Sequence, residues 1–206
     1  MPEPSTVYVV DDDDAVRTSI VQIIATVGYR VEAFASAQEF LERFDPETEC
    51  CVVLDVRMRG RSGLKLLDEL NARKSEVPVI FLTGYGDVPT VVRAMRCGAT
   101  DFLEKPARPS ELLDVIELAL KKAGELAHAR RERARIQACI ERLSPRQREI
   151  LNHIVNGKTT KEMAFELNIS TRTVDSHRSK LLQAMNMKGI TQVVRAITRV
   201  GFDEGA

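Results

Sequence analysis

The sequence lacks tryptophan, and only 5% of its 206 residues are aromatic, so a buried core has to be mostly aliphatic. No apolar run approaches the roughly 18 residues that a membrane-spanning helix needs. The first ten residues contain no basic segment followed by a long apolar run, which argues against a secretory signal. With 44% hydrophobic and 29% charged residues, the composition is typical of a soluble globular protein.

Cysteine is scarce and shows no pairing pattern. The four cysteines form no Cys-x-x-Cys pair and no Cys/His spacing of a zinc site; they are Cys50, Cys51, Cys97 and Cys139. This argues against a disulfide scaffold and against structural zinc, and it favours a protein of the reducing cytoplasm.

The net charge of zero hides an uneven distribution. Residues 1–120 contain 13 basic and 21 acidic residues, residues 121–140 contain 6 and 2, and residues 141–206 contain 11 and 7. Two domains with different partners would explain this asymmetry, and nucleic acid is the first candidate partner of the basic one. Charge alone leaves open a chance partition of the charged residues.

The first 120 residues alternate between short apolar runs and segments with helical spacing. The apolar runs are rich in β-branched residues and lie at 7–10, 51–54, 79–82 and 101–103. A further segment at 30–33 is weaker and more alternating, as expected of an edge strand. The helical segments lie at 14–27, 37–44, 63–73, 88–97 and 110–122. Five such units predict an α/β domain in which helices cover both faces of a parallel sheet.

Several helix ends in this part of the chain are marked by capping residues. Ser36 and Glu39 have the spacing of a capping box, and Asp87 precedes a helix that opens with proline. Gly28 and Gly98 stand where the first and fourth helices should end.

The remainder of the chain is predicted to be helical. Residues 112–142 predict one long, charged, alanine-rich helix, either a solvated connecting helix or a weak coiled coil. From Ser144, which forms a capping box with Gln147, the pattern changes to four short helices. The first is predicted to end at 157, the second to span 160–167, the third to run from 170 to 187, and the fourth to span 190–200.

Three carboxylates follow strands of the predicted sheet. Asp11 and Asp12 come after the first strand, and Asp55 comes after the third. In the strand order 2-1-3-4-5 these strands are neighbours, so their carboxyl ends bring the three acids together. Like charges this close repel each other, and a divalent cation that prefers oxygen ligands would relieve the repulsion; we expect Mg²⁺.

The same edge of the sheet gathers a hydroxyl group and an ammonium group. Thr83 ends the fourth strand, and Lys105 follows the fifth. Carboxylate, Mg²⁺, hydroxyl and ammonium together make a site for a phosphoryl group, with a carboxylate as the nucleophile.

At these positions residues 5–122 resemble a response-regulator receiver domain. The matching motifs are V-V-D-D after the first strand, L-D-V-R-M after the third, L-T-G after the fourth and E-K-P after the fifth. The resemblance implies a flavodoxin-like (βα)5 receiver with a parallel sheet in the order 2-1-3-4-5.

The resemblance also implies the roles of the pocket residues. Asp55 would be the phosphoacceptor, and Lys105 would pair with the phosphoryl group. Asp12, Asp55 and the backbone carbonyl of Arg57 would ligate Mg²⁺ directly, whereas Asp11 would act through a coordinated water.

The resemblance also implies which residues form the switch and which peptide bond is cis, and the sequence departs from the family in the loop beside the metal. Thr83 and Phe102 occupy the switch positions, where the hydroxyl moves to the phosphoryl oxygen and the ring turns inward. The peptide bond between Lys105 and Pro106 should be cis. The sequence departs from the family at Arg59, where proline is usual, and Arg59 and Arg61 place two extra positive charges next to the pocket.

The basic region contains a helix, a tight turn and a second helix, the arrangement that places a helix in the major groove of DNA. Residues predicted to form its core are Met163, Leu167, Ile169, Val174, Leu181 and Leu182. The outward face of the second helix carries basic and hydroxyl side chains, which suit phosphates and base edges. No aromatic residues are interleaved, which argues against stacking on single strands.

Residues 141–201 resemble the four-helix LuxR-type DNA-binding domain, from L-S-P-R-Q-R-E-I-L through V-D-S-H-R-S-K-L. A receiver followed by this domain is the NarL/FixJ arrangement of transcriptional regulators. The resemblance implies that Asp175, Ser176 and Ser179 face the bases. The resemblance also implies contacts that are mainly with the DNA backbone, from Thr160, Lys161, Arg172, Thr173, His177, Arg178 and Lys180. Asp175 either accepts from a cytosine amino group or repels phosphate, and His177 is either a core or a phosphate-facing histidine.

We therefore expect a receiver domain at 1–122, a helical linker at 123–140 and an all-α LuxR-type helix-turn-helix domain at 141–206. The expected function is phosphorylation-dependent transcriptional regulation in a two-component system. The expected partners are a sensor histidine kinase, double-stranded promoter DNA, RNA polymerase and a second copy of the chain. The copies would pair through the fourth helix, fifth strand and fifth helix of the receiver.

Two other functions are weighed against this one. A Mg²⁺-dependent phosphatase on a similar sheet needs a second acid two residues after its nucleophile, and that position is Arg57. We therefore expect no catalysis beyond self-phosphorylation and self-dephosphorylation. A DNA-binding module that ignores phosphate stays open because of Arg59 and Arg61.

Overall fold

A computed structural model describes residues 5–84 and 87–200 of the chain. The chain divides into two compact units between residues 128 and 129. In the described part, no helix combines the length and the apolar character needed to cross a bilayer.

The first unit contains a five-stranded parallel sheet in the order β2-β1-β3-β4-β5, as predicted. The strands are β1 (Thr6–Val10), β2 (Arg30–Phe34), β3 (Cys50–Leu54), β4 (Val79–Thr83) and β5 (Asp101–Glu104). β1, β3 and β4 are buried along their whole length because both faces of the sheet are covered. Val10 pairs with Leu54, so β1 and β3 end side by side.

Five helices accompany the sheet: α1 (Asp14–Ala25), α2 (Ala37–Arg43), α3 (Gly63–Ala72), α4 (Val88–Arg96) and α5 (Pro109–Glu141). One face of the sheet packs with Phe40 of α2 and Leu66 of α3. The other face packs with Ile24 of α1 and Ile116 of α5. The two clusters are the apolar layers that a covered parallel sheet requires.

The predicted helix ends are present, with one correction. Asp87 caps α4 by accepting from the Thr90 backbone N–H, and Gly28 and Gly98 have positive φ angles of 83° and 91°. The Ser36 side chain accepts from the Glu39 backbone N–H, but the capping box is incomplete. The Glu39 carboxylate accepts from the Ala35 N–H, one residue earlier than a capping box requires.

The fifth helix extends from the first unit into the second. α5 runs for 33 residues as a single helix, in agreement with the long helix predicted over 112–142. Its early residues, such as Leu112 and Ile116, belong to the core of the first unit. Ile136 and Ile140 belong to the core of the second unit.

The second unit contains α6 (Pro145–Val155), α7 (Thr160–Glu166), α8 (Thr171–Ala184) and α9 (Ile190–Val200). Ser144 and Gln147 form the predicted capping box. α8 ends three residues earlier than predicted because Asn186 adopts a left-handed φ of 51°. Of the predicted core, Met163, Val174 and Leu181 are buried, whereas Leu167, Ile169 and Leu182 are only partly buried against it.

Candidate functional site: an acidic pocket and a recognition helix

The acidic pocket lies where β1 and β3 leave the sheet. Asp11, Asp12 and Asp55 each offer a carboxylate oxygen, and these oxygens lie within 4.8 Å of one another. The register of β1 and β3 causes this convergence, because Val10 and Leu54 are paired and the acids follow them directly. The three side chains differ in exposure: those of Asp11 and Asp55 are 3% and 9% exposed, and that of Asp12 is 24% exposed.

Lys105 brings a positive charge from the end of β5 into this pocket. Its Nζ donates a 2.6 Å hydrogen bond to Asp11 Oδ2 and lies 3.5 Å from Asp55 Oδ1. The peptide bond between Lys105 and Pro106 is cis, as the resemblance implied.

Asp55 is the least satisfied of the three acids. Its Oδ1 is buried and accepts no hydrogen bond from the described part of the chain. Burial raises the pKa of Asp55, while the charge of Lys105 and a hydrogen bond from the Thr83 hydroxyl act in the opposite direction. Thr83 itself is fully buried at the end of β4.

The loop after Asp55 passes close to the strand. A Cβ on Gly63 would lie 2.1 Å from the Asp55 backbone oxygen, so only glycine permits this approach. Arg57, whose carbonyl was predicted to face the metal, lies in the same loop with an exposed side chain.

Phe102 of β5 is half-buried, with its ring centroid 6.3 Å from that of Phe81.

Sequence reasoning missed the contacts of Arg59. Its backbone N–H donates a 3.1 Å hydrogen bond to Asp12 Oδ2, and its Nε lies 3.6 Å from the same oxygen. The expectation of two extra charges at the pocket needs a correction, because Arg61 pairs with Glu69 of α3. Between these two arginines, Arg59 alone forms an ion pair with a pocket carboxylate.

The donor set of the pocket fits a hard divalent cation. It offers carboxylate oxygens from three side chains, and one of the oxygens of Asp55 is buried and accepts no hydrogen bond from residues 5–84 and 87–200. Mg²⁺ prefers such oxygen ligands and needs few protein carboxylates.

The second candidate site is the surface of α8. Val174 and Leu181 point into the core, which fixes the opposite face toward solvent. The predicted contact residues that are exposed on α8 are Arg172, Asp175, Ser176, Ser179 and Lys180. Thr173, His177 and Arg178 are half-buried. Lys161 is exposed on α7, and Thr160 is half-buried there.

Two of the predicted DNA contacts also position the helices. Arg178 Nη1 donates a 2.5 Å hydrogen bond to Thr160 Oγ1, which joins α8 to the start of α7. Ser170 caps α8 by accepting from the Thr173 backbone N–H. The geometry thus gives Arg178 and Thr160 a structural contact in addition to any contact with DNA.

An exposed aromatic residue was also missed. The side chain of Phe165 on α7 is 87% exposed, the highest value among the large hydrophobic residues in the described part of the chain. Phe165 is not interleaved with the basic residues of α8, because it precedes that helix in sequence.

The two units match two known families. A model of the response regulator receiver domain matches residues 7–117, and a model of the bacterial regulatory proteins of the luxR family matches residues 141–197. The chain is a response regulator of the NarL/FixJ family. This response regulator is a phosphorylation-dependent transcriptional regulator of a two-component system rather than a classical enzyme. Its receiver implies a kinase partner, and its LuxR-type domain implies DNA binding.

Relatives cover almost the whole response regulator. It is 40% identical over 201 residues to the transcriptional regulatory protein FixJ of Azorhizobium caulinodans, covering 98% of this chain and 95% of that protein. It is 37% identical over 196 residues to nodulation protein W of Bradyrhizobium diazoefficiens, covering 95% and 86%. The low-resolution structure of response regulator StyR is similar with a TM-score of 0.83 and 37% identity, covering 95% of this chain and 99% of that one.

Proposed function

We propose that Asp55 accepts a phosphoryl group from a sensor histidine kinase in the presence of Mg²⁺, and that this promotes dimerisation and promoter binding. The observation that carries the proposal is the buried Asp55 Oδ1, which accepts no hydrogen bond from the described residues and lies 3.5 Å from the charged Lys105 Nζ. An oxygen in this position is available to form a new bond, and a cation stands beside it.

The pocket acids supply the ligands for Mg²⁺ in this proposal. Asp12, Asp55 and the carbonyl of Arg57 would ligate the ion directly, and Asp11 would act through a water. When bound, Mg²⁺ neutralises charge on the phosphoryl oxygens. The convergence of three carboxylates within 4.8 Å supports this assignment.

The protein's own groups carry out the transfer. An Asp55 carboxylate oxygen attacks the phosphorus atom, and the bond between phosphorus and the donor breaks with its electron pair leaving on the donor. Lys105 stabilises the negative charge of the transferred group. The Asp11 hydrogen bond holds Lys105 in place, so its ammonium group is positioned before the donor arrives.

In this proposal Thr83 and Phe102 couple phosphorylation of Asp55 to a conformational change at the receiver surface. The Thr83 hydroxyl would leave Asp55 for a phosphoryl oxygen, and the half-buried ring of Phe102 would turn into the space released. Val88, Val92 and Met95 lie on one face of α4 and are 75%, 42% and 45% exposed. An apolar face of this kind supports pairing of two receivers through α4, β5 and α5.

The LuxR-type domain would bind promoter DNA through α8. Asp175, Ser176 and Ser179 would face the bases, while the basic and hydroxyl residues around them would contact phosphates. These include Arg172, Thr173, His177, Arg178 and Lys180 on α8, and Thr160 and Lys161 on α7. The exposure of Arg172, Ser176, Ser179 and Lys180 supports this arrangement.

RNA polymerase is the fourth macromolecular partner in the proposal, after the kinase, a second copy of the chain and promoter DNA. The cytoplasm is the proposed location because DNA and the polymerase are there. The exposed ring of Phe165 supports a protein contact on α7, because exposed aromatic residues often anchor interfaces.

Acetyl phosphate with Mg²⁺ tests the phosphoacceptor directly. Intact-mass spectrometry should detect one added phosphoryl group on the parent chain and on Asp68→Asn, whose side chain is exposed on α3. Asp55→Asn should remain unlabelled. Labelling of Asp55→Asn at the parental level would move the acceptor to another residue and overturn the proposal.

A further inference from the structure

Arg59 contacts the most exposed acid of the pocket in two ways. Its backbone N–H donates to Asp12 Oδ2 at 3.1 Å, and its guanidinium Nε lies 3.6 Å from the same oxygen. The side chain of Arg59 is 97% exposed, so the guanidinium group can move away from Asp12 without breaking any packing. Asp12 is thus the pocket acid that a cation from solvent and Arg59 can both reach.

The two contacts have different physical consequences. Every residue except proline has a backbone N–H, so the first contact orients the Asp12 carboxylate whatever the side chain is. The second contact depends on the positive charge of the side chain. Lys105 already places one cation beside Asp11 and Asp55, and Arg59 adds a second beside Asp12. A divalent cation entering the pocket is repelled by both and has to displace the guanidinium from Asp12.

We propose that the Arg59 guanidinium competes with the divalent cation for Asp12 and thereby lowers the Mg²⁺ affinity of the pocket. This inference rests on the Mg²⁺ site of the proposed function and adds its regulation. With a lower Mg²⁺ affinity, the pocket fills only at higher Mg²⁺ concentrations. Phosphorylation then depends on the Mg²⁺ concentration in that higher range. The Arg59 backbone N–H keeps the Asp12 carboxylate oriented toward the metal site, whereas the Arg59 guanidinium opposes binding of the cation.

The chain contains a matched control two residues away. Arg61 carries the same charge in the same loop, but its guanidinium pairs with Glu69 of α3. Removing the Arg61 charge therefore changes the net charge as much as removing the Arg59 charge does. Only the Arg59 substitution removes a contact with a pocket carboxylate.

The test is a Mg²⁺ titration of the full chain, followed by the amide resonances of the pocket loops in ¹H–¹⁵N NMR spectra. Arg59→Gln should bind Mg²⁺ about two- to fivefold more tightly than the parent, the range set by an exposed ion pair. Arg59→Lys keeps the charge and should match the parent within about a factor of 1.5. Arg61→Gln should also match the parent, and added salt should shrink the effect of Arg59→Gln.

Each outcome bears on one proposal. Equal affinities for the parent and Arg59→Gln overturn the competition by Arg59, and so does an equal gain in Arg61→Gln, which would reduce the effect to net charge. A gain in Arg59→Lys as large as that in Arg59→Gln overturns the role of the charge. If Mg²⁺ shifts no pocket resonance of the parent, the metal site of the proposed function itself fails.

Discussion

Lys105 donates a 2.6 Å hydrogen bond from its Nζ to Oδ2 of Asp11. The same Nζ is 3.5 Å from Asp55 Oδ1, so the stronger contact of the lysine is with the acid that is not the proposed phosphoacceptor. Asp11 thus anchors the ammonium group, and a buried oxygen of Asp55 accepts no hydrogen bond within the part of the chain that the structure describes. This division of roles between the two carboxylates underlies the behaviour expected of the pocket variants.

Replacing the proposed acceptor should stabilise the protein when no divalent cation is present. Asp55→Asn removes a charge that burial disfavours, and burial raises the pKa of this carboxyl. We expect the free energy of unfolding in EDTA to rise by about 1 kcal/mol in Asp55→Asn, as measured by urea denaturation, because Lys105 keeps its hydrogen bond to Asp11 when the Asp55 charge is lost. Mg²⁺ should stabilise the parent by binding its native state and should stabilise Asp55→Asn much less.

The control for this comparison is Asp68→Asn, which removes an exposed charge outside the pocket and should change stability by less than about 0.5 kcal/mol. If Asp55→Asn instead loses stability in EDTA, the Asp55 charge is well compensated in the parent chain and burial does not disfavour it.

Thr83 should couple phosphorylation to association without being needed for phosphorylation. Thr83→Ala removes the hydroxyl that bonds to Asp55, whereas Thr83→Ser keeps it. We expect acetyl phosphate to label both variants within about threefold of the parental rate. Phosphorylated Thr83→Ala should dimerise about tenfold more weakly than the parent, which corresponds to loss of one charge-assisted hydrogen bond.

Sedimentation equilibrium of the labelled proteins measures that difference. Equal dimerisation of Thr83→Ala and the parent would remove Thr83 from the switch. Weak dimerisation of Thr83→Ser would point to packing at this buried position rather than to the hydroxyl.

Arg172 at the start of α8 should act as a phosphate contact. Arg172→Gln should weaken binding to all DNA sequences about equally, and it should reduce the slope of log affinity against log salt by about 0.9 for each phosphate that is no longer neutralised. Arg195→Gln removes one exposed charge from α9 and serves as the matched control. Fluorescence anisotropy with a selected site and a random duplex measures both slopes, and an unchanged slope in Arg172→Gln contradicts the assignment.

Phe165 should matter for transcription and not for DNA affinity. Phe165→Ala removes a ring that is 87% exposed, so the fold should lose less than about 0.5 kcal/mol. We expect transcription in vitro to fall at least about fivefold, because truncating an interface anchor costs more than about 1 kcal/mol. Promoter affinity should stay within about twofold, and Phe165→Tyr should retain activity. Parental transcription by Phe165→Ala would remove this surface from the proposal.

β1, β3 and β4 could be predicted from the sequence because they are buried along their whole length and form continuous apolar runs, whereas β2 has only a weaker, alternating pattern. The acids after β1 and β3 then converge by topology alone, and their proximity follows once the strand order is known. Helix ends were predictable where Asp87 or Gly98 marks them. The end of α8 was not, because Asn186 turns the chain with a left-handed φ that asparagine allows but does not require.

Side-chain partners in the pocket were beyond sequence reasoning. We expected Arg59 and Arg61 to place two extra charges next to the pocket, but the Arg61 guanidinium forms an ion pair with Glu69 of α3, and of the two arginines only Arg59 pairs with a pocket acid. The hydrogen bond between Arg178 and Thr160 likewise joins residues 18 positions apart, and no periodicity in the sequence encodes it. Such contacts depend on how helices pack, which local pattern does not specify.

Sedimentation velocity with Mg²⁺ and beryllofluoride, a mimic of the phosphoryl group, tests phosphorylation-driven dimerisation most directly. We expect the parent chain to change from monomer to dimer only when both are present, and the dimer then to bind a selected DNA duplex. Asp55→Asn should remain a monomer under every condition. A parent chain with the same sedimentation coefficient with and without beryllofluoride, or an Asp55→Asn variant that dimerises equally, would show that phosphorylation of Asp55 does not drive dimerisation.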